Sequence, residues 1–210
     1  MAIAINGSTN VITGVGVGGL PDGIVDADML ASNAVTAGQL ASGVGGKILQ
    51  VVQTAKKDRF STSSGSYVDI TGMTVTITPT AASSKILISS TGIIGGSQDS
   101  MYSHCRLGRS INSGSFNFTF IVGDQDNAET QSSIDMSVGD ISNTYHLAYS
   151  RQFAFEFLDS PSYSLGNAIV YKLDVKTTNG GTLMFGGNYN SNDINSRSCP
   201  SFLTVKEVAA

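Results

Sequence analysis

Residues 171–176 read Tyr171-Lys172-Leu173-Asp174-Val175-Lys176. Every second residue is large and apolar, and the residues between them are Lys, Asp and Lys. Successive side chains of an extended strand point to opposite faces. The stretch therefore predicts a strand with one face in a core and the other toward water. The same alternation runs through Met73-Thr74-Val75-Thr76-Ile77-Thr78. It recurs in Arg151-Gln152-Phe153-Ala154-Phe155-Glu156-Phe157, where three phenylalanines share a face. Further strands are predicted at 84–94, 101–109, 116–122, 182–186 and 201–208. Asn179-Gly180-Gly181, between two such stretches, predicts a hairpin turn. Short strands at this spacing, separated by Gly, Ser and Asn, predict a β-sandwich or barrel over residues 47–210.

Two stretches break the alternation. Ile48-Leu49-Gln50-Val51-Val52 and Ser201-Phe202-Leu203-Thr204-Val205 are apolar on both faces. Such a strand meets something besides its own core. These are the first and last strands of the β region, which predicts that they are neighbours lining a contact between chains. Ile48, Val51 and Phe202 are the expected contact residues. The alternative is that loops of the same chain cover them.

The composition changes near residue 46. Residues 1–46 hold ten of the 24 glycines, no Lys or Arg, and only the charges Asp22, Asp26 and Asp28. Half of Gly14-Val15-Gly16-Val17-Gly18-Gly19-Leu20-Pro21-Asp22-Gly23 has no side chain to pack. Ordering that much glycine costs entropy, which packing against identical neighbours would offset. Leu-Ala-Ser then recurs ten residues apart, at Leu30-Ala31-Ser32 and Leu40-Ala41-Ser42. Asp26 and Thr36 suit N-caps, and Asn33 and Gly43 suit stops. Helices of one or two turns do not persist alone. Two helical turns that meet their copies around an axis are expected, with Leu30 and Leu40 each filling a layer.

Charged residues make up 13% of the chain and the net charge is −4. The densest basic cluster is Lys56, Lys57 and Arg59, which is no nucleic-acid footprint. No apolar run approaches the ~20 residues of a membrane-spanning helix. Met1-Ala2-Ile3-Ala4-Ile5-Asn6-Gly7 lacks the basic start and long apolar run of a secretory signal, so none is expected. Cys105 and Cys199 form no disulfide framework and are read as small half-buried thiols, with their pairing left open.

Catalytic patterns are absent. Gly14, Gly16 and Gly19 satisfy G-x-G-x-x-G, but a turn follows where the nucleotide motif needs a helix. No G-x-S-x-G elbow occurs. His104 and Cys105 are strand neighbours and point apart; Cys105 with His146 remains a spatial alternative. Asp124, Asp126, Glu129, Glu156, Asp159 and Asp193 offer carboxylates, with no pair marked out for glycoside hydrolysis. Asp124-Gln125-Asp126-Asn127-Ala128-Glu129 begins like a calcium loop but has Ala128 at the fifth position and no glycine after it. No enzyme, cofactor or metal is expected.

Ile5-Asn6-Gly7 through Thr13-Gly14-Val15-Gly16-Val17-Gly18-Gly19-Leu20-Pro21-Asp22-Gly23 resembles the N-terminal part of tail-fibre-like virion structural proteins of marine tailed phages. Val25 to Leu40 is similar to the Ala/Leu-rich stalk repeats of those proteins. Gly46-Lys47-Ile48-Leu49-Gln50-Val51-Val52, Ser66-Tyr67-Val68-Asp69, Ser84-Lys85-Ile86-Leu87-Ile88, Phe157-Leu158-Asp159-Ser160-Pro161 and Leu203-Thr204-Val205-Lys206-Glu207-Val208 resemble their head domain. The strand order also resembles trimeric jelly rolls of the C1q/tumour-necrosis-factor type.

The resemblance implies a homotrimer in the virion, on the tail rather than the capsid, made in the host cytoplasm. An anchor at 1–24 would dock to other virion proteins, a short helical stalk would occupy 25–46, and a jelly-roll-like head would occupy 47–210. The expected role is a tail fibre that adsorbs to host surface polysaccharide through loops at the end far from the stalk. Loops near 94–101, 158–167 and 187–199 are the expected tips, with Gln98, Asp99, Tyr163, Asn188, Tyr189, Asn190 and Asp193 as receptor contacts. Tyr offers a flat apolar face, and Asn offers donor and acceptor together. The alternative is a capsid decoration, head fibre or tail connector with a purely structural role.

Overall fold

The computed structural model describes residues 4–6, 11–13, 47–97, 101–122, 132–135, 150–178, 180–188 and 198–210. The chain divides into two compact units, Met1–Gly46 and Lys47–Ala210. In the first, β1 (Ala4–Asn6) and β2 (Val11–Thr13) pair antiparallel, with Ile5 opposite Ile12. The expected helical turns, with Leu30 and Leu40, lie outside the described residues.

Among its described residues the second unit has ten strands: β3 (Ile48–Lys56), β4 (Phe60–Thr62), β5 (Val68–Ile77), β6 (Lys85–Gly96), β7 (Tyr102–Ile111), β8 (Ile134–Asp135), β9 (Ser150–Asp159), β10 (Ile169–Thr178), β11 (Leu183–Phe185) and β12 (Ser201–Val208). One sheet runs β3–β12–β6, with β9 on the other side of β6; β11 continues beside β6 where β12 ends, and β4 pairs with β11. The second sheet runs β5–β10–β7–β8. All these pairings are antiparallel. Setting aside the short β4 and β11, the first, eighth, third and sixth strands form one sheet and the second, seventh, fourth and fifth the other. That order is the jelly-roll arrangement.

Strand parity decides what lies between the sheets. Tyr171, Leu173 and Val175 of β10 are fully buried, while Lys172 and Lys176 face outward. Met73, Val75 and Ile77 of β5 are buried, and Thr74 and Thr76 are exposed. Ile86 and Ile88 of β6, Leu203 and Val205 of β12 and Phe153 of β9 close the core from the other sheet. Each fully buried side chain of this kind is worth about 1.5–3 kcal/mol. β5 slips register against β10 between Thr74 and Asp69. Gly72, with a φ of 85°, lies in the slip and lets Ile70 and Met73, three residues apart, both face inward.

Three expectations need correction. Residues 116–122 are no strand: Asn117 makes a single bridge to Arg109, and the chain turns at Phe120 and Ile121. Their aromatic side chains find a better place over cations. The Phe116 ring lies 4.0 Å from Lys172 Nζ, and the Phe118 ring 4.3 Å from the Arg106 guanidinium carbon. Secondly, β10 and β11 form no hairpin, because they belong to different sheets. Gly180 has a φ of 76° as the chain crosses from one sheet to the other. Thirdly, Asp159 is not a loop residue; it ends β9 and is buried. Cys105 and Cys199 are both free. Burial pushes the Cys105 thiol up, so it packs as a small apolar group.

Candidate functional site

The registers define two ends of the sandwich. Ile48 lies opposite Val208, Val208 opposite Lys85 and Ile86 opposite Asp159. The connections 78–84 and 160–168 and the bond from Ala209 N–H to the Lys47 carbonyl are at this end. At the opposite end, Lys56 pairs with Ser201 and Gly95 with both Met184 and Ser150.

The three expected receptor loops do not share an end. The chain leaves β6 after Gly96 at the end opposite Lys47; it enters β11 at that same end, with Leu183 opposite Gly96, and leaves β11 after Phe185, opposite Ile94, in the direction of Lys47. Gln98, Asp99, Tyr189, Asn190 and Asp193 belong to these two connections and lie outside the described residues. Asn188, in the same connection, is fully buried. Tyr163 is at the Lys47 end. It packs against the core, and its hydroxyl donates to the Ala81 carbonyl at 2.6 Å and to that of Ser84 at 3.3 Å. Its polar tip is spent on holding one connection to the other.

Glu207 anchors the same connection from inside. It is fully buried, on the inward parity of β12. Its carboxylate accepts from Gln50 Nε2 (2.7 Å), Thr80 N–H (2.8 Å), Thr80 Oγ1 (3.1 Å), Ala81 N–H (3.1 Å) and Ser84 Oγ (2.7 Å). Burial alone would raise its pKa. The hydrogen bonds from Gln50, Ser84, Thr80 and Ala81 outweigh burial and hold the carboxyl below its usual range.

A second buried carboxylate joins the two sheets. Asp159 of β9 accepts from Arg109 Nη1 at 2.6 and 2.8 Å and from the Tyr171 hydroxyl at 2.7 Å. Arg109 and Tyr171 face each other across β7 and β10. Burial, followed by the adjacent Asp159 charge, pushes the Tyr171 phenol far up, so it remains a donor. Asp159 has its acceptor positions taken by structural partners, an arrangement suited to fixing the sheets rather than to moving protons. Glu156 is exposed on the outer face of β9. Among the described residues, no group of three or more His, Cys, Asp or Glu could hold a metal ion.

The first and last strands of the sandwich do pair, as β3 with β12. Their outer face continues across β6 and β9 in aligned rows. Val51 lies opposite Lys206, Lys206 opposite Leu87 and Leu87 opposite Leu158. The next row is Gln53, Thr204, Ser89 and Glu156, followed by Ala55, Phe202, Thr91 and Ala154. Ile48 is 53% exposed, Leu49 43%, Val51 57% and Leu158 45%, and Phe202 is half-buried. Of the six large hydrophobic side chains exposed among the described residues, four belong to β3 and β9, the edges of this sheet.

No protein-family model matches the chain, and no curated protein matches it. Among solved structures, the chain is similar to the structure of infectious bursal disease virus, Gx strain, at 16% identity and a TM-score of 0.32, over 77% of this chain and 36% of that one. It is also similar to a mutant VP2 protein of infectious bursal disease virus in derived T=1 particles, at 14% identity and a TM-score of 0.31, again over 77% and 36%. The chain thus spans about a third of the length of those chains.

Proposed function

We propose that this chain is a non-enzymatic virion structural protein, a homotrimeric tail fibre whose jelly-roll head adsorbs to glycans on the host surface. The observation that carries the reading is the placement of two connections. The connection after β6, with Gln98 and Asp99, leaves the sandwich at the end opposite Lys47, and the one between β11 and β12, with Tyr189, Asn190 and Asp193, starts beside Ile94 and returns beside Thr91 in the same half of β6. Residues 1–46 join at Lys47, and in this reading they supply the docking anchor (1–24) and the stalk (25–46). In this reading those connections offer donor and acceptor side chains to sugar hydroxyls. Tyr163 takes no part in binding, since its hydroxyl serves the other end.

A Tyr189→Ala/Asn190→Ala double variant of the full chain tests the glycan reading. Binding to a host-derived glycan array drops at least about tenfold, the loss of about 1.4 kcal/mol. Tyr163→Phe leaves binding unchanged. Unaltered binding by the double variant removes the receptor role and leaves a capsid decoration, head fibre or tail connector. A density map of the particle then locates the chain on tail or capsid.

A further inference from the structure

The outer face of β3, β12, β6 and β9 combines exposed apolar side chains with very few charges. Within its three central rows the charged residues are Lys206 and Glu156 alone. Lys85 lies at the rim, opposite Val208. Among the described residues, neither Lys206 nor Glu156 has an ion-pair partner. They do not pair within one chain in this structure. Glu156 aligns with Thr204, two strands away and two residues from Lys206, which puts their backbones about 12 Å apart at ordinary strand spacings.

We infer that this face is a contact between copies of the chain, in which Lys206 of one copy pairs with Glu156 of the next. The inference rests on the self-assembled reading above and names the surface and the pair that make it. Two arguments select a second copy as occupant. A face carrying one cation and one anion amid apolar and small polar residues is complementary to itself, because each charge finds its opposite on an identical surface. Val51, Leu87 and Leu158 supply three of the four residues of one row across the sheet, an apolar patch of the kind that a partner covers. Lys206 stands in that row between Val51 and Leu87. Burying it there without an anion would be costly, and Glu156 of a second copy removes the cost.

The test is a Lys206→Cys/Glu156→Cys variant of the full chain, with Cys199→Ser as background and mild oxidation. Two residues about 12 Å apart in one chain cannot form a disulfide. Covalent multimers that reducing agent dissolves are expected for most of the chain, and only when both cysteines are present. Light scattering on the same sample separates the two levels of the claim. Multimers in solution without cross-linking overturn the Lys206–Glu156 contact and leave assembly standing. Equal cross-linking by either single-cysteine variant also overturns the contact. Monomers overturn both. If the cysteine variants misfold by circular dichroism, charge reversal decides: Lys206→Glu and Glu156→Lys each weaken assembly, and their combination restores it. A combination no better than either single reversal sinks the pairing.

Discussion

Glu207 shows what one side chain does in this sandwich. Five hydrogen bonds converge on its carboxylate from β3 and from the connection that closes the Lys47 end. Glu207→Gln replaces an acceptor with an amide whose NH2 faces donors, and should cost about 3 kcal/mol. The pH dependence follows from the direction of its shift. The folded carboxyl titrates below its unfolded value of about 4.3, so its contribution is complete above that pH and is lost as pH falls through the folded pKa. Melting curves of wild type and Glu207→Gln should differ fully at neutral pH and converge under acid, below about pH 4. A constant difference across that range would contradict the role given to its charge.

Two of the three buried carboxylates among the described residues, Glu207 and Asp159, were within reach of sequence reading. Leu203, Val205 and Glu207 share parity, as do Phe153, Phe155, Phe157 and Asp159, so each strand's own alternation sends its acid inward. Arg109 has the parity of Cys105 and Leu107. What alternation cannot supply is the partner. Asp159 meets Arg109 and Tyr171 across the gap between two sheets, and that requires the sheet order. Tyr163 was misplaced for a related reason. Its side-chain chemistry suits a sugar, but the end of the sandwich it occupies depends on the direction of β9.

At the level of elements, the segment after β7 departs most from its pattern. Phe116, Phe118 and Phe120 alternate as a strand would, yet two of the rings lie over cations on the outer face of the β5–β10–β7 sheet. Arg106 is held between the Tyr67 ring at 3.5 Å and the Phe118 ring at 4.3 Å, while donating to Asp174 at 3.1 and 2.6 Å. Room for Phe118 comes from Gly108, where any β-carbon would collide with that ring. Gly108→Val should therefore expel Phe118 and cost about 1–3 kcal/mol. Proteolysis within residues 112–122 should become faster, and an unchanged rate would argue against the clamp. The remaining long strands were legible because their burial alternates. The short β4 and β8, of three and two residues, carry no period to read.

For the whole molecule, the arrangement of the strands matters more than any one contact. The sandwich is a jelly roll, and its last strand is an interior one: β12 lies between β3 and β6 and bonds to both. Removing residues 201–210 should leave no partially stable sandwich, and far-UV circular dichroism of the truncated chain should lose its strand signal. A truncated chain that melts cooperatively would contradict this. Synthesis adds a timing consequence. β3 is made early and, among the described strands, pairs only with β12, so its edge stays unpaired until residues 201–208 emerge. Pairings this distant in sequence are slow to form. The waiting edge is the point at which nascent chains would aggregate, so soluble yield should depend more on synthesis rate and temperature than on the final stability of the fold.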